Sequence, residues 1–167
     1  PFSMDPVQFE QSEIVLTRTV QLAKDLAAHI GAEVPIVGSF SIVHKDSKQF
    51  YEQHAEMIHH YQADGAEICM QWLPPIAWYF GGSISLDVMN RLVDCDAIIE
   101  HDIPVCMDVC HLLMGQQQFG FSAIDLMKTI RKNTKHVHIA DSAGIDGEGI
   151  AIGEGDVGNM QAIKFAM

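Results

Sequence analysis

The sequence predicts an α/β chain that forms part of a (β/α)8 barrel, and three observations carry this. Four short apolar runs alternate with amphipathic stretches, the pattern of a parallel sheet covered by helices. Polar residues recur where those runs end: Gln71, then Asp108 with His111, then His138 with Asp141. The run ends lie 30 to 37 residues apart, which suits one βα unit each. In a barrel such ends converge on one mouth. In an open doubly wound sheet only the strands at a switch point share a site, so the recurrence favours the barrel. A barrel takes about 250 residues. The 167 residues therefore read as about four βα units in a single domain, 1–167, and as a fragment of a longer chain.

In chain order, Leu16, Val20, Ala23, Ala27 and Ile30 follow a helical period, with Ser12 as N-cap and Gly31 as the stop. Residues 35–40 have strand length. Phe50, Met57, Ile58 and Tyr61 mark a helix from Gln49 to Gln62, and a strand follows over Ala66–Met70. A loop with Pro74, Pro75, Gly81 and Gly82 leads to a helix expected from about Ser85 to Glu100. Residues 104–107 form the third run. Ser122 and Asp125 have capping-box spacing at the head of a helix that reaches Asn133. Residues 136–140 are the fourth run. The stretch from Asp141 to Gly158, with its six glycines, reads as a loop, and a helix begins at Asn159.

Hydrophobic residues at 48% and charged residues at 19% place the chain among globular proteins rather than disordered ones. Twenty-two acidic residues against ten basic ones leave a net charge of −12, a field that repels nucleic acid and anionic membranes. Neither is expected as a partner. No apolar run reaches the ~20 residues of a membrane span, and the N-terminus does not read as a signal peptide. Cys69, Cys95, Cys106 and Cys110 lack CxxC spacing and sit among apolar residues, as buried thiols of a reducing compartment do. The expected location is the cytoplasm.

Four stretches can carry chemistry. Asp108 follows a buried strand, where a carboxylate is costly unless paired, hydrogen-bonded or metal-bound. His111 reaches the same space, and a structural Asp–His bond is the alternative. His136 and His138, two apart on a strand, point to one side, and paired imidazoles suit zinc, manganese or similar cations. The glycine-rich loop exceeds the ~12 residues of an ordinary connection, yet it has neither a P-loop lysine nor dinucleotide spacing. Around Trp72 and Trp78 a stiff aromatic loop suits a substrate wall, a subunit contact or simple packing. His54, His59 and His60, with Glu52 and Glu56, read as a solvated helix face.

Three of these motifs together resemble the xylose isomerase-like TIM-barrel superfamily of sugar and sugar-phosphate isomerases and epimerases, which also includes endonuclease IV. Asp108-Val109-Cys110-His111 is similar to its D-T-C-H, and Ile152-Gly153-Glu154-Gly155-Asp156-Val157 to its I-G-E-G-D-I. Residues 136–142 match between them, in the right order. The resemblance implies the fourth to seventh barrel strands and one divalent ion (manganese, zinc, cobalt or magnesium). It also implies proton transfer through an enediolate on a small sugar or sugar derivative. By that match Asp108 and His138 are metal ligands, and His111 and Asp108 are catalytic. Gln71 stands where the family has a metal-binding Glu in E-N-x-P, so an oxygen donor remains without its charge. Trp72, Asp141 and Glu154 join Gln71 and His111 as expected substrate contacts. Endonuclease-type repair would need a D-x-H in the loop, where this chain has Asp146-Gly147-Glu148. A barrel that binds a sugar or partner without turnover is the alternative that Gln71 favours. Open strand edges of a partial barrel lead to an expected homo-oligomer.

Overall fold

The computed structural model describes residues 6–40, 46–79 and 81–167; Phe80 of the aromatic loop lies outside them. The first helix, α1 (Pro6–Ile30), starts earlier than the Ser12 cap predicted, with proline in its first turn. Its apolar stripe buries only Leu16, Val20 and Ala23, while Ile30 is exposed. Gly31 ends it at φ 69°, its N–H donating to the Ala27 carbonyl at 2.9 Å. Strand β1 (Ile36–Gly38) follows, then α2 (Ser47–Ala63), whose N-cap Asp46 accepts from the Lys48 N–H at 2.9 Å.

Strand β2 (Ile68–Gln71) leads into a hairpin of β3 (Ile76–Tyr79) and β4 (Gly82–Ser85), where the prolines and glycines of the sequence predict a loop. Trp78 in that hairpin is exposed. The helix expected from Ser85 begins only at α3 (Asp94–Glu100). Side chains explain the delay. Asp94 accepts from the N–H groups of Asn90 and Arg91, and the buried Asn90 amide donates to the Leu86 and Pro74 carbonyls. Met89 takes φ 55°. These contacts offer the backbone an alternative to helix.

Strand β5 (Val105–Asp108) passes directly into α4 (Val109–Phe119), with Asp108 as the N-cap. The sequence pattern does not announce that helix, because residues 109–115 are all buried and no amphipathic period marks it. The predicted Ser122 cap is present on α5 (Ala123–Thr129), where its hydroxyl accepts from the Asp125 N–H. Strand β6 (Thr134–His138) follows. The glycine-rich stretch contains a second hairpin, β7 (Asp141–Ala143) and β8 (Gly147–Ile150), before α6 (Asn159–Ala166).

The four expected strands form one parallel sheet in the order β1-β2-β5-β6. Alternation gives it two unlike faces. Ile68, Met70, Val105 and Met107 enter the hydrophobic core with Phe50, Ile58, Ile98, Leu112, Leu126 and Ile163 from the helices. Each such side chain contributes roughly 1.5–3 kcal/mol by leaving water. The other face carries Cys69, Gln71, Cys106, Asp108, His136 and His138. All four cysteines are buried and free. Among the described residues no helix is long and apolar enough to cross a membrane. The α2 histidines divide: His59 and His60 are exposed, but His54 is buried against the Phe50 and Phe40 rings, its Nδ1–H donating to the Phe50 carbonyl.

Candidate functional site

The C-terminal ends of the four strands place a polar row across the sheet. Ser39, just after β1, donates its hydroxyl to Gln71 Oε1. Gln71 ends β2, and its Nε2 donates to Asp108 Oδ2 at 2.9 Å. Asp108 ends β5, and the same oxygen lies 3.4 Å from His138 Nδ1 at the end of β6. Gln71 Nε2 stands 3.5 Å from that nitrogen. Register produces this convergence, because Asp108 pairs with His138 and Gln71 with Cys106.

His111 sits in the first turn of α4. Its backbone N–H donates to Asp108 Oδ1 at 3.2 Å, so one carboxylate both caps the helix and faces the row. The ring is fixed at both nitrogens. Nδ1 lies 2.8 Å from the Trp72 carbonyl, and since a carbonyl only accepts, Nδ1 carries a hydrogen. Nε2 lies 2.8 Å from Glu148 Oε1 on β8, a contact that places one proton between imidazole and carboxylate. His111 is buried, whereas the Glu148 side chain is 55% exposed, so the pair spans from interior to solvent.

Of the expected site residues, the structure thus gathers Gln71, Asp108, His111 and His138. Trp72 is fully buried in the core and offers the cluster only its carbonyl. Asp141 is turned to its own loop. It accepts from Ser142 N, Gly153 N, Gly155 N and Asn159 Nδ2. Burial opposes its ionisation, but those four donors outweigh it and hold the carboxyl below the ordinary range. Glu154 is exposed on the same loop. Sequence reasoning missed Glu148 and Ser39. Asp146-Gly147, a hairpin dipeptide, was the available signal for the strand bearing Glu148.

One layer deeper, Cys106 pairs with His136 across β5 and β6. Burial pushes the Cys106 thiol up to about 12, helped by the Asp108 charge and opposed by the His138 backbone N–H.

The row fits a divalent cation on its donor chemistry. Carboxylate, imidazole and amide converge with separations of 2.9–3.5 Å, close to the roughly 3–3.5 Å between ligands on one ion with bonds of 2.0–2.2 Å. The amide lacks charge and presents its nitrogen to Asp108, so binding requires it to turn its oxygen inward.

Comparison with known proteins matches residues 5–167 to the family model described as xylose isomerase-like TIM barrel. Among solved structures, a xylose isomerase domain protein from Planctomyces limnophilus is similar, with a TM-score of 0.59 and 12% identity. The alignment covers 95% of this chain and 58% of that one, so the chain spans a little over half of its length. At that identity the likeness shows fold alone. No curated protein matches the chain.

Proposed function

The chain belongs to the xylose isomerase-like TIM-barrel family, and from that premise we propose that it is the site-bearing, central to C-terminal part of a metal-dependent sugar or sugar-derivative isomerase or epimerase, forming one domain over residues 1–167. The observation that carries the reading is the meeting of two devices at one end of the sheet. One is the Gln71–Asp108–His138 row, and the other is the His111–Glu148 pair at 2.8 Å.

In this reading Asp108 and His138 hold the cation and Gln71 adds a neutral donor. A bound divalent ion supplies Lewis-acid polarisation of a substrate carbonyl. Trp72 fixes His111 Nδ1–H through its carbonyl, which leaves Nε2 as the atom that exchanges a proton. Glu148 Oε1 takes the proton from the carbon beside the carbonyl, and His111 Nε2–H donates to the oxygen as an enediolate forms. Asp108 orients His111 through the helix cap. Asp141 shapes the loop that carries Glu148, and Glu154 remains the loop group placed for substrate contact. Free buried thiols support a cytoplasmic setting.

The test is exchange in D2O with a panel of small aldoses, ketoses and their phosphates, in the presence of manganese. Wild-type protein should place deuterium on the carbon next to the carbonyl of one substrate class. Glu148→Gln should lower that rate by about 100-fold or more, and Asp108→Ala should abolish it. Sugar binding without exchange in the wild type would instead support the second reading, a binding barrel without turnover. The Gln71 amide hydrogen-bonded to Asp108 favours that reading.

A further inference from the structure

We propose that Cys106, His136 and His138 form a second cation site, one residue layer below the strand-end row, that takes a borderline-soft divalent ion of the zinc class. The three residues share one sheet face on adjacent parallel strands, with Cys106 directly paired to His136. One ligand atom from each lies within 4.8 Å of the others. The two imidazoles stand edge to face with centroids 5.2 Å apart. Among the described residues no protein group is hydrogen-bonded to either ring nitrogen of His136, so both are open to a ligand.

The donor chemistry selects the ion. A thiolate and two imidazoles, with no oxygen among them, favour zinc or cobalt over magnesium, manganese or calcium. Zinc with bonds of about 2.0–2.3 Å needs its ligands roughly 3.3–3.8 Å apart, so binding draws the three side chains together from a present spacing of up to 4.8 Å. Binding forms a sulfur–metal bond, releases the thiol proton to solvent and leaves a fourth position open. The row above is a harder set, carboxylate and amide oxygen with imidazole. His138 belongs to both, since its Nδ1 stands 3.4 Å from Asp108. The chain thus holds a hard and a soft site that draw on one histidine, and zinc occupancy of the lower layer competes with manganese in the upper one.

The experiment is cobalt titration of the full 167-residue chain after chelator treatment, read by absorbance. The expected result is one equivalent bound, with intense tetrahedral visible bands and a near-ultraviolet thiolate-to-cobalt band, all erased by zinc. Cys106→Ser should remove the thiolate band, and His136→Gln should weaken cobalt binding roughly tenfold or more. Asp108→Ala should retain the band while losing manganese binding, which separates this site from the row above it. His136→Gln, at a half-buried position, keeps the test decisive if Cys106→Ser does not fold. Cobalt binding without a thiolate band, a band that survives Cys106→Ser, or no binding at all would overturn the proposal.

Discussion

At position 71 an amide stands between the Ser39 hydroxyl, from which its oxygen accepts, and the Asp108 carboxylate, to which its nitrogen donates. Replacing it with glutamate puts two carboxylates about 3 Å apart, which repel unless a cation lies between them. Gln71→Glu should therefore lower the metal-free melting temperature and raise manganese affinity by about tenfold, roughly 1.4 kcal/mol. Isothermal titration and thermal melts with and without manganese read both effects, and unchanged affinity would remove position 71 from the ligand set. Asp141 makes the opposite case, a carboxylate given to structure. Its carboxyl is held low, so its stabilisation is present above the unfolded value near 3.9 and is lost as pH falls through the folded value. Asp141→Asn should cost about 2–3 kcal/mol at neutral pH and flatten the fall in stability below about pH 4, measured by urea unfolding. The residues legible in the sequence were those at strand ends, Gln71, Asp108, His111 and His138. Glu148 was not, because it meets His111 across 37 residues through a hairpin that no local periodicity announces.

Among the elements, those with a two-sided environment were legible and those without one were not. Strands β1, β2, β5 and β6 appeared as apolar runs because the sheet separates a core face from a second face. Helix α4 was hidden because its first seven residues are all buried. The start of α3 was misplaced because Asn90 and Asp94 satisfy the preceding backbone from side chains, which apolar spacing cannot reveal. Asn90→Ala should strip two buried carbonyls, of Leu86 and Pro74, of their donor and destabilise the chain by about 1–3 kcal/mol. The loop after β8 has a similar dependence on a single residue. A Cβ on Gly155 would collide with the Asp141 carboxylate and the Ser142 carbonyl, both held in place. Gly155→Ala should therefore loosen the β7–β8 hairpin and detach Glu148 from His111. Faster amide exchange at Gly153 and Gly149 would register this, and unchanged protection would show that the loop relaxes without loss.

For the whole molecule, the decisive quantity is the edge of the sheet. A closed barrel has none, whereas here β1 and β6 each pair on one side only among the described residues. Beside β6 a groove of about 330 Å³ is lined by Met107, Met127, Val137, Phe165 and Met167, and beside β1 another of about 520 Å³ lies between α1 and residues 36–40. Both grooves flank the strands at which a further βα unit of a barrel would be added. Unpaired backbone next to apolar grooves drives association. The net charge of −12 opposes it, but screening at about 0.15 M salt confines that repulsion to about 8 Å. The 167-residue chain should therefore run above its monomer mass in light scattering at physiological salt and shift toward monomer as salt is lowered. Phe165, 44% exposed at the β6 groove, is the side chain to change. Phe165→Glu adds a charge where a neighbouring strand or helix would pack and should reduce the associated fraction. A monodisperse monomer at every salt concentration, in wild type and variant alike, would mean that the two edges are protected by their own loops rather than by other chains.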